Sequence, residues 1–334
     1  MPMMYLDLLL IFLAEFIPFA PPQRSFPETE INITIDAVPI SAFDTDNPSL
    51  RRFGSLDFRG GLVLTSSNTF FGSISALQVQ PDGQHFIALS DRAIWIRGRI
   101  LYKDDRPVGI ADATLAPMLD SKGKRAPGWD TESIAEDGDT VYVGLERIHS
   151  IMRFDFGKDG VRASGIPVPV PPEIKDLPSN QSLESLVFIP AKFRLKNTLI
   201  AISERGLTED GNIKAFLVGG STPGMFSVKR TEGYDISDAA LLPTGDLLIL
   251  ERQYSLERGV AMRIRQIRQD DIKPGAVVDG TVIMEADGNH EIDNMEALSV
   301  HTSGSGEIIL TLLSDNNFSS LQRTVFLQFA LRKE

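Results

Sequence analysis

Five segments of this 334-residue chain repeat one grammar: a polar or acidic start, a few apolar residues, a turn, a strongly apolar strand and a closing acid. They run from Ser75 to Asp91, Glu132 to Glu146, Glu184 to Glu204, Asp238 to Glu251 and Glu296 to Asp315. The starts are separated by 57, 52, 54 and 58 residues, close to one blade of a β-propeller and too long for a helical solenoid repeat. Val141, Val143 and Leu145 alternate as a half-buried strand should, whereas Leu247–Leu250 and Thr198–Ile202 are apolar runs typical of strands covered on both faces. The expected fold is all-β, a single propeller.

The turns can be checked against the acids. If the first and last residues of a repeat face each other across two antiparallel strands, the turn lies midway between them. The midpoints fall on Gly83, on Asp139 within Asp137-Gly138-Asp139, between Thr244 and Gly245, and between Ser305 and Gly306. All of these are turn sequences. The third, at Arg194, lies in a longer connection. The start of each first strand and the end of each second strand therefore meet at one rim, with the first strands lining the channel. Gly61–Thr65 and Thr324–Leu331 also read as strands and are expected to close a sixth blade by pairing the two ends of the chain, which removes exposed sheet edges. Ile166–Pro178 reads as a proline-rich excursion between blades.

The rim set comprises Asp91, Glu132, Glu146, Glu184, Glu204, Asp238, Glu251, Glu296 and Asp315, with Ser75 in the tenth equivalent place. So many carboxylates around one channel cannot all stay charged without a neutraliser. One candidate is a metal ion. An all-oxygen set suits Ca²⁺, with the amides of Asn316 and Asn317 available to complete the shell. The other is arginine: Arg92, Arg147, Arg205 and Arg252 each follow a rim acid and could pair with it or with an anionic substrate. The chain has no cysteine, which excludes disulfides, thiolate catalysis and cysteine-based zinc sites. Its four histidines, His85, His149, His290 and His301, have no ligand spacing and read as surface or loop residues. A net charge of −12 without a basic block argues against nucleic acid as partner. Nucleophile-elbow, P-loop and dinucleotide-binding motifs are absent, and Asp287–Glu291 reads as a turn into the fifth repeat.

Residues 1–30 are expected to be a leader. Leu8–Leu13 has the apolar character of an export signal, although no Lys or Arg precedes it and Asp7 and Glu15 flank it. The run is too short to span a bilayer. Periplasmic or secreted placement is the first expectation and cytoplasmic the second. Residues 31–334 form the propeller in this reading.

At Asp293–Leu298, at Leu313-Ser314-Asp315-Asn316-Asn317-Phe318 and at Gln322-Arg323-Thr324, the sequence resembles the bacterial phytase-like family, described by an esterase-like activity of phytase. Glu132-Ser133-Ile134, Glu184-Ser185-Leu186 and Ser203-Glu204-Arg205 match its pattern of an acid, a small residue and an aliphatic one, and the resemblance covers residues 55–332. It implies a β-propeller and Ca²⁺-assisted hydrolysis of a phosphoester or related ester. In that reading Glu296, Asp315 and Glu132 are the catalytic carboxylates, and Arg92, Arg147, Arg205, Arg252, Asn316 and Arg323 hold a small anionic substrate. A monomer is expected. Two alternatives stand beside it: a non-catalytic ligand- or protein-binding propeller with structural calcium, and a lactonase-like propeller with one central metal.

Overall fold

The protein is described by a computed structural model over residues 26–179, 181–255 and 259–332. The N-terminal apolar segment Leu8–Leu13 and most of the expected leader lie outside the described residues. Among those described, no helix is long and apolar enough to cross a membrane.

Each repeat builds one antiparallel sheet, and its first strand lines the channel. These inner strands are β1 (Ile74–Val79), β2 (Thr131–Asp137), β3 (Leu183–Ile189), β4 (Asp235–Leu241) and β5 (Asn294–Thr302). The second strands are His85–Ser90, Thr140–Leu145, Thr198–Leu207, Leu247–Ser255 and Ile308–Asp315. Tight turns join the pairs. Gly83, at φ +70°, sits on the first, and a Cβ there would lie 2.8 Å from the ring of His301.

The molecule has five blades, which corrects the expectation of six. Thr324–Leu331 and Leu56–Thr65 do pair with each other, as closure requires. They are the third and fourth strands of the fifth blade, whose order from the channel is Asn294–Thr302, Ile308–Asp315, Thr324–Leu331, Leu56–Thr65 and Asp36–Ile40. Every repeat supplies only two strands of recognisable grammar, and each sheet needs outer strands. In the first four blades most of these come from the chain that follows. In the fifth, the chain ends after one more, and the N-terminal strand supplies the next. The expected excursion at Ile166–Pro178 splits in two: Ile166–Val168 is the outer strand of the second blade, and Pro172–Lys175 is one helical turn leading to the third.

The core is the set of gaps between sheets. Five apolar clusters fill the five gaps, one in each. The second strands show how. Val141, Val143 and Leu145 face the first blade, while Tyr142 stacks on Phe188 of the third. Leu248 and Leu250 face the fifth blade, and Leu247 and Ile249 the third. A strand covered on both sides must be apolar at every position.

The closing seam carries this packing without a covalent link, so a cavity there acts on the whole ring. Leu327→Ala, at a fully buried seam position, is expected to cost about 2–5 kcal/mol in urea unfolding. Val38→Ala, 65% exposed on the outermost strand of the same blade, should change stability by less than about 0.5 kcal/mol.

Candidate active site

Each inner strand starts with a β-bulge, so that two of its residues oppose one on the second strand. The bulged residues are Ser75, Glu132, Glu184, Ser237 and Glu296. A bulge re-aims a side chain, and three of the five are acids at the channel mouth. The acids Glu132, Glu184 and Glu296 feel one another's charge there. The two serines instead cross to the next blade: Ser75 donates to the Thr131 carbonyl at 2.6 Å and Ser237 to the Met295 carbonyl at 2.9 Å.

The second layer comes from the ends of the second strands. The Asp91, Glu146 and Glu204 amides donate to the carbonyls of Ser73, Asp130 and Ser182 at 2.9 Å each. Asp315 and Arg252 stand opposite Asn294 and Asp235 in the same register. The mouth is therefore built from Asp91, Glu146, Glu204, Arg252 and Asp315 above Ser75, Glu132, Glu184, Ser237 and Glu296.

The fourth blade differs from expectation. Asp238 and Glu251, both expected at the rim, are not brought there. Asp238 lies one residue past the bulge, where its carboxylate accepts from the amides of Leu298 at 2.7 Å and Ala239 at 2.8 Å. Glu251 is fully buried inside its own sheet, held by the Nε of Arg263 and of Arg265, each at 2.7 Å. Arg252 occupies the rim place. Its guanidinium bonds Glu204 at 3.0 Å and also Asn294 and Glu296, so one fixed cation stands among the acids.

Among the described residues, none places such a cation at the centre of the other acid group. Asp130, Glu132 and Glu146 offer carboxylate oxygens all within 4.8 Å of one another. Asp130 was not among the expected ligands. Its signal is positional: it sits two residues before the bulge, where the other blades also carry polar residues, Ser73, Ser182, Asp235 and Asn294. Arg147 pairs with Asp130 at 2.6 Å from the solvent side.

Electrostatics follow from this crowding. Burial, then the nearby Glu184 and Asp130, push Glu132 well above the usual carboxyl range. Burial raises Glu146 to about 7 despite a bond from the Ser182 amide. Glu184 is likewise pushed well up by burial and by Glu296. Glu296 rises to about 7 through burial, against the pull of Arg252. Asp315 rises to about 6 by burial although the Asn317 amide donates to it at 2.6 Å. Asp91 is raised by burial too, with the Ser73 hydroxyl on its Oδ2 at 2.8 Å.

The remaining expected substrate residues lie around this rim. Arg92 lies over the Phe318 ring at 3.7 Å. Arg205 pairs with Asp235. Arg323 bonds Glu291 at 2.7 Å and lies 3.7 Å from Asp293. Asn316 accepts from the Ser73 amide at 2.9 Å, which ties the fifth blade to the first. No histidine joins the acids. His85 and His290 are turn or edge residues bonded to Asp82 and Asp287 three places away, and the His149 ring bonds the Lys175 carbonyl at 3.0 Å. His301 was expected at the surface but is buried against the Gly83 turn, because its place on an inner strand is covered by the neighbouring blade.

Two outcomes follow. A carboxyl whose pKa is higher folded than unfolded binds more protons in the folded state, so stability is lost as pH rises between the two values. For Glu146 that window runs from 4.5 to about 7. Asp82, lowered to about 2 by His85 and neighbouring amides against the opposing effect of burial, acts below it. Melting in the presence of chelator should therefore fall from pH 5 to pH 7. A Tm that climbs over this range would show that the acids are neutralised from within. Separately, Arg252→Met leaves Glu204 and Glu296 facing each other without their cation. It should cost roughly 3 kcal/mol by denaturant unfolding, the scale of a broken buried ion pair.

A profile of the family described as "Phytase-like: Esterase-like activity of phytase" matches residues 69–318. No curated protein matches the sequence significantly. Among solved structures, the chain is similar to Myxococcus xanthus glutaminyl cyclase at 10% identity, with a TM-score of 0.43 over 90% of this chain and 98% of that one. It is also similar to the PQQ-bound aldose sugar dehydrogenase from Streptomyces coelicolor at 12% identity, with a TM-score of 0.41 over 90% and 98% of the two chains. At these scores neither likeness bears on what this chain does. The family match spans all five repeats and both layers of the acidic mouth, and the chain belongs to the phytase-like family.

Proposed function

We propose that this protein is a calcium-dependent hydrolase of a phosphoester or related ester, working at the acidic mouth of its channel. The observation that carries the reading is the carboxylate group of Asp130, Glu132 and Glu146. Two oxygens on one Ca²⁺ at roughly 2.4 Å lie no more than about 4.8 Å apart, the spread seen here. The donors are all hard oxygens, with neither histidine nor cysteine beside them, which suits calcium and not zinc. Burial, and after it the neighbouring carboxylates, raise the pKa values of Glu132 and Glu146, which supports a site that gains from a cation. Asp130 and Glu132 are half-buried, so an ion can enter from the mouth.

When bound, such an ion would polarise the ester and lower the pKa of a water. The protein's own groups do the rest. Asp315, at about 6 and close to Asp91, takes the proton of the attacking water. That water's oxygen bonds to phosphorus or to the acyl carbon, the bond to the leaving oxygen breaks, and Asp315 returns its proton to the departing alkoxide. Glu296, held by Arg252 and the Asn294 amide, keeps the guanidinium fixed at the mouth while charge builds on the reacting group.

A single compact acid group among the described residues also favours the lactonase-like variant, which needs one ion. Matched chromogenic phosphate and acetate esters, with a lactone as third substrate, separate the readings. Phosphate release that needs Ca²⁺ and stops with chelator is expected. Hydrolysis of the lactone alone would shift the assignment to a lactonase. Binding of Ca²⁺ without turnover of any of the three would leave a scaffold. Glu132→Gln should abolish calcium binding by calorimetry and lower turnover by about 100-fold or more, in line with the loss of a metal-held nucleophile. Retained binding in that variant would move the ion elsewhere.

A further inference from the structure

Beside the mouth, a cleft of about 320 Å³ opens where the long second and third strands of the fourth blade rise past the rim. It shares Glu204 and Arg252 with the acid ring, so whatever fills it meets the guanidinium at the mouth. Its volume is at the lower end of small-molecule sites, which run to about 300–1,000 Å³. It therefore takes a body of about one ring, not a polymer.

The walls define the chemistry. One wall carries Tyr254 and, opposite it in register, Val260, followed by Ala261. Tyr254 is 70% exposed, so its ring presents a free face. The rest of the lining carries planar polar groups: Asp235, Asp293, Asn294, Gln253 and Arg205. Each keeps hydrogen-bonding capacity beyond its partners in the protein. The Gln253 amide donates to the Glu232 carbonyl at 2.6 Å, which leaves its oxygen free of that bond. Asp293 accepts only single bonds from the Asn294 and Arg323 amides, besides the more distant Arg323 guanidinium. A carboxylate has room for about four.

Charge is the deciding feature. The cleft holds three carboxylates, Glu204, Asp235 and Asp293, against two guanidiniums, Arg205 and Arg252. Both guanidiniums are already paired: Arg205 with Asp235, and Arg252 with Glu204 and Glu296. Among the described residues that line the cleft, no unpaired cation cluster faces a second or third anion. Planar donors and acceptors facing an amphipathic aromatic face suit a ring that carries hydroxyls and no charge.

We propose that this cleft holds the leaving alcohol of the substrate and is built for an uncharged polyhydroxylated ring, so that the preferred substrate is a monosaccharide carrying one phosphate. The word leaving rests on the hydrolase reading above; the preference for the ring does not.

The test separates the two. Binding of glucose 6-phosphate, phenyl phosphate, inorganic phosphate and fructose 1,6-bisphosphate to the calcium-loaded full chain is measured by calorimetry, with phosphate release followed in parallel. Glucose 6-phosphate should bind at least 10-fold more tightly than phenyl phosphate, and the bisphosphate no more tightly than glucose 6-phosphate. Tyr254→Ala, at an exposed position, should weaken glucose 6-phosphate about 10-fold and leave inorganic phosphate, which carries no ring to fill the cleft, within twofold. A bisphosphate bound 10-fold more tightly, or a Tyr254→Ala variant with unchanged affinity for glucose 6-phosphate, overturns the proposal. Specific binding lost in the variant, without phosphate release by the wild type, keeps this cleft assignment and removes the hydrolase.

Discussion

Confinement of like charge is the constraint on which the rest of the mouth depends. Each of the five inner strands carries a bulge near its start, and three of the bulged residues, Glu132, Glu184 and Glu296, crowd their charge into one small space. Carboxylates held that closely, with one side against protein, must protonate, pair or bind a cation. The mouth uses more than one of these solutions. Arg252 answers the charge of Glu204 and Glu296. Serines take the bulge positions of two blades and bond to backbone. Asp130, Glu132 and Glu146 are left together, with the outlying Arg147 on Asp130.

The fourth blade gives the ring its polarity. A five-fold set of acids would be one diffuse negative field. Replacing one rim acid by arginine splits it into a side neutralised from within and a side open to an external cation. The same blade lengthens its second and third strands past the rim, Leu247–Ser255 pairing with Gly259–Ile267. The internal cation, the tall wall and the cleft thus arise in one sheet. Glu251, buried beneath them with Arg263 and Arg265, ties that sheet together below the rim.

Much of this was legible in the residues. The repeat, the turns and the pairing of the chain ends follow from local rules: glycine and aspartate at turns, apolar runs for covered strands, and a sheet edge that must be closed. The fourth repeat shows where such reading stops. Its true rim pair is Ser237 and Arg252, one residue outward at each end from Asp238 and Glu251. Both pairs have the same midpoint, between Thr244 and Gly245, so a test on the turn cannot tell them apart. The search for an acid at each end chose the wrong one, because the true places hold a serine and an arginine.

The sequence by itself determined the propeller class, the acidic character of the mouth and the identity of the strands that close the ring. Those follow from period, composition and pairing that any fold of this chain must respect. Only the tertiary structure decided that there are five blades, that Asp130 joins Glu132 and Glu146, and that Arg252 stands among the acids. Blade number is set by how many sheets fill the apolar gaps around the axis, a sum over contacts far apart in the chain. Register at a bulge is set by one extra residue that has no signature of its own. A shift of one place exchanges rim for sheet interior, and with it a free carboxylate for a buried one.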